Sequence, residues 1–370
     1  TLARTPPNVV LISIDTLRAD HLGTYGQARA TSPNIDALAR RSLVFEEAYS
    51  QSPKTAPSHM SIFTGVVPDL HGVKNLHDEG DNPPLSPGIP TLAELLDERG
   101  YFTAAVSGGG HVIGKLGFDR GFDDFASSND PQRVFDLGWK AIKKRGDRPF
   151  FVFLHTYEVH DPYTPPDEFR DLFVDPEYAG EVISSRDRMG RDKGAWQVRH
   201  EEYWSKVKAD DPADLRRLKD LYSGSIRYVD GIVGEFLSRL EDAGLADDTI
   251  VVLLSDHGEE FQEHGGFLHE TVYQELLHVP LILHVPARVP GRPEPARVKG
   301  TVRLIDVLPT LLELLDLPLP EHVQGRSLLD VARGKDPVER SVFSTWPRQR
   351  MYALRRGRYK LVERPAWKEK

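Results

Sequence analysis

Cysteine is missing from all 370 residues, which removes disulfides, thiolate zinc sites and cysteine nucleophiles together. That absence suits cytoplasm and periplasm equally, and the opening Thr-Leu-Ala-Arg-Thr-Pro-Pro, without methionine, reads either as a tether after a removed leader or as a trimmed chain. The expected setting leans towards the periplasm or secretion. No apolar run approaches the ~18 residues of a membrane span. Basic side chains are the minority, 47 Lys and Arg against 56 Asp and Glu for a formal charge of −9. They form no stripe of the kind that phosphate-backbone binding needs, so nucleic acid is not an expected partner. An acidic surface still admits an anionic substrate, because a metal and local donors can reverse the field inside one pocket.

What is present suggests one large α/β unit with a smaller appendage. Asn8 to Ile14 is a nearly continuous β-branched run, as in a strand buried on both faces of a parallel sheet, and Asp15 sits at its carboxyl end, where open α/β sheets bind ligands. Similar runs recur at Phe102 to Val106, Phe150 to Leu154, Thr249 to Leu254 and Val279 to Val285. Helical patterns lie between them, at Asn34 to Arg41 after Ser32-Pro33 and at Tyr222 to Leu240. Alternation of this kind predicts a doubly wound, mostly parallel sheet sandwiched by helices.

The charged stretch Glu181 to Asp214, with Trp196 and Tyr203, reads as an insertion: a solvated helix, or a lid or oligomer contact over the site. After a Pro- and Arg-rich connection, a helix is expected from Ile305 to Leu315. Short antiparallel strands are expected at Val342 to Thr345, Met351 to Leu354 and Tyr359 to Val362. The expected division is a catalytic domain over residues 1–290 and a small α+β subdomain over 291–370.

Three segments place chemical side chains after a buried strand or at a helix start: Ile14-Asp15-Thr16-Leu17-Arg18, Lys54-Thr55-Ala56-Pro57-Ser58-His59 and Leu254-Ser255-Asp256-His257-Gly258-Glu259. Each alone is modest, since an Asp after a strand is more often a cap than a ligand. Together they resemble the sulfatase-like branch of the alkaline phosphatase superfamily. Ordered matches continue through Ser32-Pro-Asn-Ile-Asp36, Ser61-Ile-Phe-Thr-Gly65, His71-Gly-Val73, Gly121-Phe-Asp123, Val229-Asp230 and Val279-Pro-Leu-Ile282 to Tyr359-Lys-Leu-Val362. The resemblance implies one divalent metal ion held by Asp15, Asp256 and His257, with the nucleophile Thr55 also at the metal. Two carboxylates and one imidazole suit Mn²⁺ or Zn²⁺, and Ca²⁺ less readily. A second ion would draw on His155, Glu158, His160, Asp161, His264 or His269.

The chain departs from true sulfatases at informative positions. Their Cys or Ser becomes formylglycine, whereas oxidised Thr55 would be a ketone; the motif's Arg is His59, the second early Asp is Thr16, and the Asn after the later Asp is His257. The same substitutions resemble the threonine-nucleophile relatives that cleave phosphodiesters and phosphonate monoesters. They imply a small anionic ester as substrate and a phosphothreonine at Thr55, with a formylglycine-free sulfatase or a phosphoryl-type transferase as alternatives. By the same resemblance His160 or His269 protonates the leaving oxygen, His59 binds a nonbridging oxygen, and His111, Asn75 and His264 contact the anion. His155 reads either as a site residue or as a hydrogen-bonded core histidine, and a glycine at 109 leaves room beside the metal. A homo-oligomer is compatible with all of this.

Overall fold

The computed structural model describes residues 6–75, 83–184, 196–335 and 339–364, with the side chains of residues 196–199 left aside. Strands β1 (Asn8–Ile14), β2 (Leu43–Tyr49), β3 (Phe102–Ser107), β4 (Asp124–Ser127), β5 (Phe150–Thr156) and β6 (Thr249–Leu254) come first in the chain. The short β7 (Glu260–Phe261) and β8 (Phe267–Leu268) pair with each other. Then come β9 (His278–Val279), β10 (Leu281–His284) and β11 (Ala296–Arg303). The main sheet has the order β11-β2-β10-β6-β1-β5-β3-β4, with β9 on β2. Only β9 and β10 run against the rest.

β1 shows why the sheet is a three-layer structure. Val9 and Leu11 point into one apolar layer, while Val10, Ile12 and Ile14 point into the other. Both faces of such a strand must be covered, which explains a run with no polar alternation. Helix α1 (Pro33–Ala39) and the helices Pro131–Lys144 and Pro212–Asp242 cover the second layer; α2 (Thr55–Thr64) and Val307–Leu314 cover the first. Carboxyl ends of β1, β5 and β6 therefore lie side by side at the sheet's centre, with Ser13 level with His155 and Leu254.

The doubly wound fold agrees with the sequence reading, and four details differ. β2 was not expected: its apolar start gives way to half-buried Glu46 and Glu47, which break the signal. The run from Val279 to Val285 divides at Pro280, which lacks the N–H a ladder needs. The long helix begins at Pro212 rather than Tyr222, because Asp211 accepts from the Ala213 amide and Pro212 suits the first turn. Finally, β11 joins the main sheet on the open edge of β2, so the sheets do not divide at residue 290. The separate antiparallel sheet comprises β12 (Ser341–Trp346), β13 (Met351–Arg356) and β14 (Tyr359–Glu363). Of the charged insertion, residues 185–195 lie outside the described residues, and Trp196–Ser205 is a helix.

Asp306 fastens the connection to this last sheet. Fully buried, it accepts from Arg303 at 2.8 Å, from the Arg326 amide at 2.9 Å and from Arg340 at 2.7 Å. Asp306→Ala would leave buried cationic groups short of a carboxylate. A loss of about 3–5 kcal/mol is expected, read from the denaturant midpoint; a loss below ~1 kcal/mol would show the network to be dispensable.

Candidate active site

Asp15 follows β1 directly, and Thr16 after it has φ +55°, a left-handed conformation that a β-branched residue adopts only when its surroundings enforce it. The enforcement is visible. Tyr222 from the long helix donates to the Thr16 carbonyl at 2.7 Å, and the Leu17 amide donates to Ser255 at 2.9 Å. The turn brings the Thr16 amide to 3.4 Å from Asp256 Oδ1 and sets Asp15 beside the loop after β6.

Helix α2 delivers Thr55 to the same place. Ser58 donates to the Asp256 carbonyl at 2.7 Å, and His59 lies 2.9 Å from Ser13 of β1, so the first turn is pinned to two strand ends. Lys54 provides no side-chain cap. Asn75 does so from outside the helix, its Oδ1 accepting from the Ala56 amide at 2.9 Å. Thr55 Oγ1 then stands 3.4 Å from His257 Nε2.

Asp15, Asp256 and His257 each offer a ligand atom within 4.8 Å of the others, and all three are fully buried. Among the described residues Asp15 Oδ1 and Asp256 Oδ2 have no hydrogen-bond partner, with His59 Nδ1 and His257 Nε2 each 3.4 Å from Asp256 Oδ2, an arrangement a folded protein tolerates where a cation belongs. The His257 ring agrees: Nδ1 donates to the Gly258 carbonyl at 3.0 Å, leaving the Nε2 lone pair for a ligand. These donors fit a divalent cation.

The electrostatics carry the same mark. Burial opposes ionisation of Asp15, but a hydrogen bond from His155 and the fields of His257 and His160 hold its pKa below the carboxylate range. Burial and the neighbouring Asp15 charge push Asp256 well above that range. Burial lowers His257 to about 4, keeping the ring neutral as a ligand must be. The Gly108 amide donates to His155 Nδ1 at 3.3 Å, so Nε2 carries the hydrogen given to Asp15 Oδ2 at 3.2 Å. His155 therefore supports a ligand from behind. Among the described residues only the one trio of metal-type side chains converges.

The remaining histidines divide into two groups. His160 and His269 pack with ring centroids 5.1 Å apart, and His269 lies 4.6 Å from the His257 ring. His160 Nδ1 is 2.8 Å from the Asp161 carbonyl and His269 Nδ1 is 3.1 Å from Glu259 Oε1, so Nε2 is the nitrogen each ring has left for proton exchange. His111 belongs to the same neighbourhood, acting electrostatically on His269. The other two point elsewhere. His59, expected to hold a nonbridging oxygen, spends Nδ1 on the Thr55 carbonyl at 2.9 Å and Nε2 on Ser13. Burial lowers it to about 3, so it is a neutral brace behind Thr55. His264 stacks on Tyr273 at 3.8 Å and pairs with Glu275 at 3.3 Å.

Several residues of the site gain their roles only in the structure. Glu259 is fully buried and orients His269, with Tyr163 beside it. Lys54 is also buried, its ammonium 2.6 Å from Glu270 and 4.2 Å above the Trp346 ring of β12, so the small sheet forms one wall of the pocket. Asp161 links His160 to the inserted helix: its Oδ2 lies 2.8 Å from His200 Nε2 and accepts from Trp204 at 3.0 Å. Only tertiary structure brings these groups together. Glu259 and Lys54 lie in segments already singled out, and Asp161 was named as a possible ligand of a second ion.

Residues 7–317 match the family model described as Sulfatase. An arylsulfatase of Clostridium perfringens is 26% identical over 92% of this chain and 80% of its own length. A solved structure in complex with its substrate D-glucosamine-2-N,6-O-disulfate superposes with a TM-score of 0.78 at 19% identity, over 97% of this chain and 88% of that one. The phosphonate monoester hydrolase of Agrobacterium radiobacter gives 0.74 at 20% identity, over 97% and 87%. Within the described residues no helix is long and apolar enough to cross a membrane.

Proposed function

The chain belongs to the sulfatase family, and from that premise we propose a metal-dependent hydrolase of phosphoric esters, acting on phosphodiesters or phosphonate monoesters through a phosphothreonine at Thr55. One observation carries the reading: the side chain beside His257 Nε2, at the start of a buried helix and facing the ligand trio, is a threonine. A secondary alcohol cannot be oxidised to the aldehyde that sulfatases use. It can attack phosphorus as it stands.

A cation held by Asp15, Asp256 and His257 would supply positive charge to the attacking and nonbridging oxygens. The chain's own groups account for the rest. Thr55 Oγ1 forms a bond to phosphorus as the ester bond to the leaving oxygen breaks. Burial and the positive field of Lys54 hold His269 well below the usual imidazole range, so it begins neutral and takes the Thr55 proton. His160 gives a proton to the leaving oxygen. In the second half water adds to phosphorus and returns a proton to His160, while His269 restores the Thr55 hydroxyl.

Sulfate esters are the second reading, favoured by curated relatives such as the arylsulfatase. An unmodified threonine would then carry a sulfate ester whose only exit is attack of water at sulfur. Turnover of matched aryl phosphodiesters, phosphonate monoesters, phosphate monoesters and sulfates, with Mn²⁺ or Zn²⁺ supplied, separates the two. Diesters or phosphonates are expected to lead in kcat/KM by at least ~10²-fold, about 3 kcal/mol of transition-state preference. A lead for sulfate would overturn the assignment.

A further inference from the structure

Tyr157 lies one residue beyond β5, and three features aim its hydroxyl at the nucleophile. Its hydroxyl lies beside the Thr55 side chain and accepts from the His111 amide at 3.3 Å. Its ring is wedged edge-on between His155 at 4.8 Å and His160 at 5.3 Å. The loop facing it is Ser107-Gly-Gly-Gly-His111, in which a Cβ on Gly108 would meet the Tyr157 ring at 3.0 Å and one on Gly110 would overlap the phenol oxygen. Gly108 and Gly110 make room for the tyrosine, whereas a Cβ on Gly109, the position expected to leave space, would meet nothing within 4 Å.

Two neighbouring donors are otherwise engaged. Both nitrogens of His59 are bound behind the helix, and the Lys54 ammonium is paired with Glu270. An oxyanion growing at the attacked centre needs a donor whose hydrogen is always present. An ordinary phenol, with a pKa of ~10, keeps that hydrogen across neutral pH.

We propose that Tyr157 is a catalytic residue whose phenol O–H donates to a nonbridging oxygen of the attacked group as the threonine bond forms. No proton leaves the tyrosine. The role rests on Thr55 as nucleophile but holds for phosphorus and sulfur alike, since both carry such an oxygen.

Tyr157→Phe preserves the ring and its packing, and is expected to lower kcat by about 10²- to 10³-fold with KM changed less than ~3-fold. Gly110→Ala, which displaces the ring, should cost a similar factor, and the double variant no more than either alone. Orthovanadate, titrated calorimetrically into the Mn²⁺-supplied protein, should bind Tyr157→Phe roughly 10-fold more weakly. A kcat within ~3-fold of native, or unchanged vanadate affinity, would overturn the role. A sulfate preference in the ester comparison would instead overturn the phosphoryl assignment while the Tyr157→Phe loss persisted. The vanadate titration reads Tyr157 even where Thr55→Ala proves harmless to turnover.

Discussion

Thr55→Ala is expected to reduce kcat for the preferred ester by about 10⁴- to 10⁶-fold, the range seen when a covalent nucleophile is deleted. The size follows from position. Thr55 Oγ1 is the hydroxyl that stands 3.4 Å from the ligand nitrogen of His257, and the helix carrying it is fixed to β1 and β6 through His59 and Ser58. Alanine removes the oxygen and disturbs neither anchor, so the circular dichroism spectrum and melting temperature should stay near native. Thr55→Ser keeps an attacking oxygen and should lose far less. Acid-quenched native protein should gain the mass of one phosphoryl group during turnover, and Thr55→Ala should not. Loss of only ~10-fold in rate, or a phosphoryl group found on another residue, would remove Thr55 from its role.

The second large effect concerns Asp256. Its pKa lies above the ordinary carboxylate value because it is buried next to Asp15. Without metal this carboxyl therefore keeps its proton to higher pH in the folded protein than in the unfolded chain, and the sign is fixed: this group makes metal-free stability fall as pH rises above the unfolded pKa of ~3.9. Asp256→Asn removes the second negative charge. Chelated Asp256→Asn should thus melt higher than chelated native protein at pH 7, by several degrees, since each kcal/mol moves a large domain by about 2–4 °C. Metal reverses the ranking. Native protein should gain about 2.7 kcal/mol at 100 times the dissociation constant, and the asparagine variant almost none. Equal melting of both proteins with and without Mn²⁺ or Zn²⁺ would show that the trio is no metal site.

The parts of this protein legible in its sequence are those where local composition and tertiary role coincide. β1, β5 and β6 are buried on both faces and are therefore apolar throughout, so strands and carboxyl-end residues could be located together. That placement made Asp15 and Asp256 stand out, and the structure brings them together with Thr55 and His257. β2 and β11 were harder because they lie near the sheet's edge, where Glu46, Glu47, Arg297 and Lys299 replace the apolar signature. His59 illustrates a different limit. Sequence position put it one helical turn from Thr55, but which way its ring faces depends on Ser13, 46 residues earlier. Tyr157 was hidden, and the surroundings of Lys54 were not legible, for the same reason, since their importance comes from a glycine loop and a distant tryptophan.

The wall formed by Trp346 has a consequence for the order in which the protein is made. Lys54 is synthesised early, yet the ring above its ammonium belongs to β12, almost three hundred residues later. A ribosome-bound chain can assemble the central strands and the ligand trio well before that ring has left the exit tunnel. During this interval the neighbour of the nucleophile lacks its aromatic cover. Full activity should therefore appear only once β12 is in place.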